Sequence, residues 1–312
     1  MLHRRTFIID TDTASDDAVA LVMALRHPDV EVVAITVVAG NVALPEAVQN
    51  ALYTIELTGA SVPVHAGEAK PLSRDLRTAQ FVHGRDGMGD IGLPLQGRLP
   101  APGHAVDALI DAVNLRPPGT VTLVTLGPLT NVALAFRKDP DLPSRLREVV
   151  MMGGTGDAVG NISAVAEFNI WVDPEAAAEV FASGATITMV GWDVSRKYAV
   201  IEPDDASAIR ALGRLGAFSV DIQATLIQFD AAETRLSGYD LPDPIAMAVA
   251  IDRSIATRTE FLNVRVETGG EFSAGQTVVD HIGVEQLAPN VHVVLEASRD
   301  AFLAMLHATH RD

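Results

Sequence analysis

The sequence predicts an α/β protein: an open, mostly parallel, Rossmann-like sheet flanked by helices, with additional helices and strands towards the C terminus. Three observations carry the prediction. Short β-branched runs alternate with amphipathic stretches through the first half, the pattern of parallel strands joined by crossover helices. Polar motifs follow directly on apolar runs, and sheets of this kind place their ligands at the carboxyl ends of strands. Beyond about Pro203 the alternation gives way to consecutive helices and then consecutive strand-like runs. No repeat, low-complexity segment or charge run marks a linker, so one domain over residues 1–312 is expected.

Taken in order, the expected strands of the first part are Thr6–Asp10, Glu31–Val38, Val62–His65, Thr120–Leu126, Glu148–Met152 and Thr186–Val190. Between them, Asp16–His27, Pro45–Thr58, His104–Leu115, Leu129–Arg137 and Pro174–Ala182 read as helices. Pro45 and Pro174 sit at first-turn positions, where the missing N–H costs nothing. The later helices are Asp205–Leu212, Ala217–Phe229 and Ile245–Ile251. Strand-like runs follow at Phe261–Val266, Thr277–His281 and Val291–Leu295, and the helix Arg299–His310 closes the chain. Gly84–Gly103 carries six Gly and three Pro in twenty residues, and reads as a lid or pocket wall.

With 40 acidic against 23 basic residues the formal charge is −17, which argues against a nucleic-acid or anionic-membrane partner. The absence of cysteine removes disulfides, thiolate metal sites and cysteine nucleophiles together. His3, Arg4 and Arg5 are followed by only Thr6–Ile9 before Asp10, too short an apolar run for a signal peptide. The uncharged stretch Pro117–Phe136 contains Pro117, Pro118, Gly119, Gly127, Pro128 and Asn131, so it reads as strand, loop and helix rather than a bilayer span. A cytoplasmic protein is expected. His307 and His310 share a helix face without a third partner, so no zinc site is expected there.

Asp10, Asp12, Asp16 and Asp17 place four carboxylates within eight positions, at the end of the apolar strand Phe7–Ile9 and the mouth of the following helix. Crowded like charges repel unless a cation holds them. Asp10 and Asp12 share a side at the strand end, whereas Asp16 and Asp17 lie ~100° apart on a helix and point to different tasks. All-oxygen ligands favour a hard divalent ion, Ca²⁺ if many oxygens gather and Mg²⁺ if fewer do. Helix capping by Ser15, Asp16 and Asp17 is the alternative, but it leaves Asp10 and Asp12 unexplained.

The run from Ile8 to Ala18, with Asp10-Thr11-Asp12 and Ser15-Asp16-Asp17 at its centre, resembles the N-terminal aspartate motif of the inosine/uridine-preferring nucleoside hydrolases. Further blocks in order extend the resemblance along the chain: Val37–Asn41, His83-Gly84 with Asp86-Gly87, Thr125–Asn131, Met152-Gly153-Gly154, Ala166–Asn169, and Asp243-Pro244 heading a helix. The resemblance implies an open α/β fold and Ca²⁺-dependent hydrolysis of the N-glycosidic bond of ribonucleosides, releasing ribose and a free base. It also implies a homodimer or homotetramer. It makes Asp12, Asp17, Asp243 and the Leu126 carbonyl the metal ligands, with Asp10 supporting the metal site. Asp12 would be the general base on a calcium-bound water. Asp16, Asn41, Asn161, Glu167 and Asn169 would take the ribose hydroxyls, and Met152 and Phe168 stand with them in the matching substrate blocks.

Physical chemistry agrees with this division. Cleavage passes through an oxocarbenium-like ribosyl cation, which a carboxylate-rich, water-poor site stabilises. Asn and Glu offer sugar hydroxyls their donors and acceptors at fixed positions. Glu167 and Asn169 are two apart, and in an extended segment they would face one way; the alternative is a surface loop ahead of Asp173-Pro174.

The leaving base is less well provided for. Many family members carry a histidine immediately before the last metal aspartate, where this chain has Pro242. His83, on the Gly-rich loop, is the remaining catalytic candidate near the base, and Gln228, Arg235 and Tyr239 are candidate base contacts; each also has an ordinary structural reading. Trp192 is a possible stacking partner, with core packing the more ordinary role. Two other functions stay open. Asp10-x-Asp12 after a strand also fits a phosphatase of the haloacid-dehalogenase type, though Ala14 and the surplus Asp16-Asp17 fit it poorly. The replaced histidine also allows a nucleoside- or ribose-binding protein without turnover.

Overall fold

The computed structural model describes residues 4–233 and 236–312. Its strands are β1 (Arg5–Thr11), β2 (Val30–Val37), β3 (Val64–Ala66), β4 (Val121–Thr125), β5 (Glu148–Met152), β6 (Ile187–Val190), β7 (Val200–Ile201), β8 (Tyr239–Asp240), β9 (Ala256–Val266), β10 (Thr277–Asp280) and β11 (Val291–Ala297). Nine of them form one sheet in the order β10-β9-β11-β6-β5-β4-β1-β2-β3. All pairs from β3 to β11 are parallel; β9 and β10 add an antiparallel edge. The segment β3-β2-β1-β4-β5-β6 is the doubly wound order, so the expected fold class holds, and the direction of winding reverses between β1 and β4.

The pattern of burial explains why these residues form this sheet. β1 is buried from Phe7 onward; Phe7 and Ile9 belong to one core cluster and Ile8 to the other, as alternation across a sheet covered on both faces requires. The helix Ser15–Arg26 is buried along most of its length because it lies between the sheet and two further helices, Pro242–Ile251 and Arg299–His310. Asn290 clamps the added edge: its amide donates to the Phe181 and Val264 carbonyls and its oxygen accepts from the Val264 N–H.

Several expectations need correction. The expected helix Ala217–Phe229 is two helices, Arg214–Asp221 and Ala224–Glu233. Gln223, fully buried at the break, donates to the Ser15 carbonyl, a bond that a continuous solvent-facing helix would not need. A helix over Trp192–Tyr198, with no counterpart in the sequence reading, follows β6 directly. The Gly-rich stretch 84–103 is not a lid. Met88 is completely buried and Leu95 nearly so, and the Ala101 N–H donates to the Val64 carbonyl at 2.7 Å, so the segment is packed onto the core rather than free to open. Among the described residues no helix is long and apolar enough to cross a membrane.

His310 offers a test of this packing. It is wholly buried, its Nδ1 lies 2.8 Å from the Leu306 carbonyl, and burial pushes its pKa down to about 4. The neutral ring therefore stabilises the fold fully above the unfolded value near 6.5, and that stability is lost as pH falls from there towards 4. Urea denaturation should show His310→Gln losing less stability than the parent between pH 7 and pH 4, by about 3 kcal/mol.

Candidate active site

The carboxyl end of β1 and the turn after it bring the aspartates to the point where the sheet winding reverses. Asp10 points back into the sheet, where one oxygen accepts from Thr36 Oγ1 and from Asn131 Nδ2 at 2.9 Å. Burial raises it to about 7. Asp12 is also fully buried; its Oδ2 accepts the Asn41 N–H at 2.6 Å, and its Oδ1 has no partner. Two glycines make room for it, because a Cβ on Gly40 or Gly127 would lie 2.1 Å or 2.6 Å from its carboxylate oxygens. The repeated Gly40-Asn41 and Leu126-Gly127 blocks of the sequence thus form a cradle around one side chain.

Asp17 does two things at once. It accepts from the Ala14 N–H at the start of the helix Ser15–Arg26 and from Thr11 Oγ1 at 2.6 Å, so the capping role and the cluster role are the same placement. Asp16, on the adjacent face, lies 3.7 Å from His83 Nδ1 and leaves its Oδ1 without a hydrogen bond. Asp243 enters from the first turn of the helix Pro242–Ile251. Asp16, Asp17 and Asp243 each offer an oxygen within 4.8 Å of the others. Burial raises all three, and Asp12 likewise, above the ordinary carboxylate range; repulsion within the cluster adds to this for Asp12, Asp17 and Asp243, and the charge of Asp240 adds to it for Asp16.

This donor set fits a hard divalent cation: oxygens only, crowded, desolvated, with two of them unpartnered. The tight triple brings Asp16 together with Asp17 and Asp243, where the resemblance names Asp12 with Asp17 and Asp243. Asp10 is turned away and held by Thr36 and Asn131. The Leu126 carbonyl accepts Asn169 Nδ2 at 2.7 Å.

Above the cluster opens a cavity of about 470 Å³. Asp16, Asn41, His83, Leu126 and Asp243 line its floor side, and Met152, Asn161, Glu167, Phe168 and Asn169 form a wall. The wall is not built as expected. Phe168–Val172 is a short helix rather than an extended segment, and Glu167 is its N-cap, accepting from the N–H groups of Asn169, Ile170 and Gly154. Those three bonds hold it in the cavity although burial raises it to about 7. Asn161 accepts the Phe168 N–H, which ties the preceding loop to the same helix.

The far end of the cavity departs furthest from the sequence reading. Gln228 is exposed and does not line it; its helix neighbours Leu226 and Phe229 do. Tyr239 is buried in the core, and because successive residues of a strand face opposite ways, it is Asp240 that reaches the cavity. Arg235 lies outside the described residues. His83 ends a short helix, Gln80–His83, rather than riding a loose loop; its Nδ1 lies 2.9 Å from Ser15 Oγ, and burial pushes it down to about 4. Trp192 lines the cavity, and the Arg196 guanidinium lies 4.9 Å from the centre of its ring. Trp192 is the possible stacking partner named from the sequence; Asp240 and Arg196 are recoverable only from the helix after β6 and from the phase of a two-residue strand.

The family described as inosine-uridine preferring nucleoside hydrolase matches residues 7–304 of the chain. An inosine-uridine preferring nucleoside hydrolase of Leishmania major is 40% identical over 279 residues, covering 88% of each chain. A pyrimidine-specific ribonucleoside hydrolase of Salmonella enteritidis is 38% identical over 303 residues, covering 96% of each. The solved structure of a purine-preferring ribonucleoside hydrolase from Gardnerella vaginalis superposes with a TM-score of 0.90 at 31% identity, covering 98% of each chain.

The glycine cradle is testable directly. Gly40→Ala must displace the Asp12 carboxylate, so divalent-cation affinity measured by calorimetry should fall ~10–100-fold, the usual scale for disturbing a group that orients a metal site. Unchanged affinity in a folded variant would show that Asp12 takes no part in holding the ion.

Proposed function

The chain belongs to the inosine-uridine preferring nucleoside hydrolase family and is a hydrolase of N-glycosyl bonds acting on ribonucleosides, and from that premise we propose that it works as a Ca²⁺-dependent enzyme with Asp12 as general base. The observation that carries the proposal is the cluster of buried, like-charged carboxylates with unpartnered oxygens beside a cavity lined by Asn41, Asn161, Glu167 and Asn169.

Asp12, Asp17, Asp243 and the Leu126 carbonyl would hold the ion, with Asp10 bracing the strand end that carries Asp12. When bound, Ca²⁺ offsets the carboxylate repulsion and makes a neighbouring water more acidic. Asp12 would take a proton from the attacking water; its Oδ1, free of hydrogen bonds, and the Asn41 N–H that holds its Oδ2 support that role. Asp16, Asn41, Asn161, Glu167 and Asn169 orient the ribose hydroxyls, and the two carboxylates among them, Asp16 and Glu167, favour the developing ribosyl cation when ionised. Met152 and Phe168 exclude water from the sugar. His83 closes the floor beside Asp16 and contacts the substrate from there.

Reducing-sugar release from a panel of purine and pyrimidine ribonucleosides tests the reading. Release should vanish on stripping divalent metal, return with Ca²⁺, and fall ~10²–10⁴-fold or more in Asp12→Ala. Near-normal turnover in Asp12→Ala with metal still bound would overturn the assignment. A protein that binds Ca²⁺ and ribose but releases sugar from nothing would be a binding protein instead.

A further inference from the structure

Breaking an N-glycosidic bond leaves an electron pair on the departing base, and a poor leaving group departs readily only when a proton reaches it in the same step. Pro242 offers none. The titratable side chains that line the cavity can be sorted by what already occupies them. Asp16 and Asp243 belong to the carboxylate floor. Both Glu167 oxygens are taken by backbone N–H groups. Arg196 is ion-paired with Asp157. His83 stands where the floor meets the helix Ala224–Glu233, and its Nδ1 is engaged, 2.9 Å from Ser15 Oγ and close to Asp16.

Asp240 is placed differently. It stands on β8, lines the cavity with only 6% of its surface exposed, and is tied to the Trp192–Tyr198 helix by Ser195 Oγ, which donates to Oδ2 at 2.5 Å. Trp192, on the helix that carries Ser195, lines the cavity with Leu226 and Phe229. Aromatic and apolar side chains with a few polar groups at fixed positions, here Asp240 and the Arg196 that covers the Trp192 ring, are the arrangement a nucleobase needs.

Resting on the hydrolase reading above, we propose that Asp240 is the group that donates the proton to the leaving nucleobase. In that step the bond from the anomeric carbon to the base nitrogen breaks and its electron pair goes to the base. The Asp240 carboxyl proton passes to the base, the water oxygen bonds to the anomeric carbon, and the water proton goes to Asp12. Solvent then returns a proton to Asp240 and takes one from Asp12, so nucleoside and water give ribose and neutral base. Desolvation raises Asp240 above the ordinary carboxylate range, which favours the protonated form the step requires. Ser195 is a positioning residue, since it fixes the rotation of the carboxyl without reaching the base.

The test compares leaving groups. Inosine and uridine need a proton on the departing base, whereas p-nitrophenyl β-D-ribofuranoside does not. Asp240→Asn keeps the size and the bond to Ser195 but cannot deliver the proton. Its kcat on the better of the two nucleosides should fall ~10²–10⁴-fold while p-nitrophenol release stays within about fivefold of the parent. Ser195→Ala should show the same split with a smaller loss, about tenfold. Equal losses on both substrate types would overturn the proposal by making Asp240 a support for the sugar or the ion, and no loss on either would do so by placing the donor elsewhere. Parent enzyme that cleaves neither type would instead defeat the hydrolase reading itself.

Discussion

Crowding of buried negative charge is the constraint on which the rest of this molecule depends. Asp12, Asp16, Asp17 and Asp243 meet, largely withdrawn from bulk water, beside the cavity, where burial and neighbouring charge raise the cost of ionising them. The fold meets that cost by several converging means. Asp16 and Asp17 lie in the first turn of one helix and Asp243 in the first turn of another, and the two helices pack together, so two positive helix ends point at the cluster. The cluster sits between β1 and β4, where the sheet winding reverses and the chain leaves a crevice. Gly40 and Gly127 let the backbone approach the Asp12 carboxylate more closely than any side chain permits. What these devices leave uncompensated is the charge a divalent cation would supply.

The cavity has two ends with different architecture. Its floor and the Glu167–Asn169 wall are held by parallel strands and by short-range capping, as when three backbone N–H groups fix Glu167. The other end comes from the helix Trp192–Tyr198, the helix Ala224–Glu233 and the ribbon of β7 and β8, which lie outside the main sheet. Relatives of comparable identity are named for inosine and uridine, for pyrimidines and for purines.

Much of this was legible in the sequence. Parallel strands buried on both faces need unbroken apolar runs, so β1, β4 and β5 could be read within a residue or two of their ends. Carboxylates placed where an apolar strand should continue stood out for the same reason. The helix Phe168–Val172 was misread because its start is set by Glu167 capping it from the side, which looks like alternation in a linear string. The Gly-rich stretch 84–103 was misread because glycine content reports backbone freedom, while Met88 and Leu95 report where the segment packs.

By itself, then, the sequence determined the sheet, the helices that cover it and the identity of the residues on the cavity floor, because those rest on local periodicity and on motifs contiguous in the chain. Only the tertiary structure decided that Asp10 faces Thr36 and Asn131 instead of the cavity, that Asp16 closes the tight carboxylate triple, and that Asp240 rather than Tyr239 or Gln228 reaches the base end. Each of those depends on the direction of one side chain relative to a distant segment, and a rotation of one residue along a strand or helix reverses it without altering the pattern of the sequence.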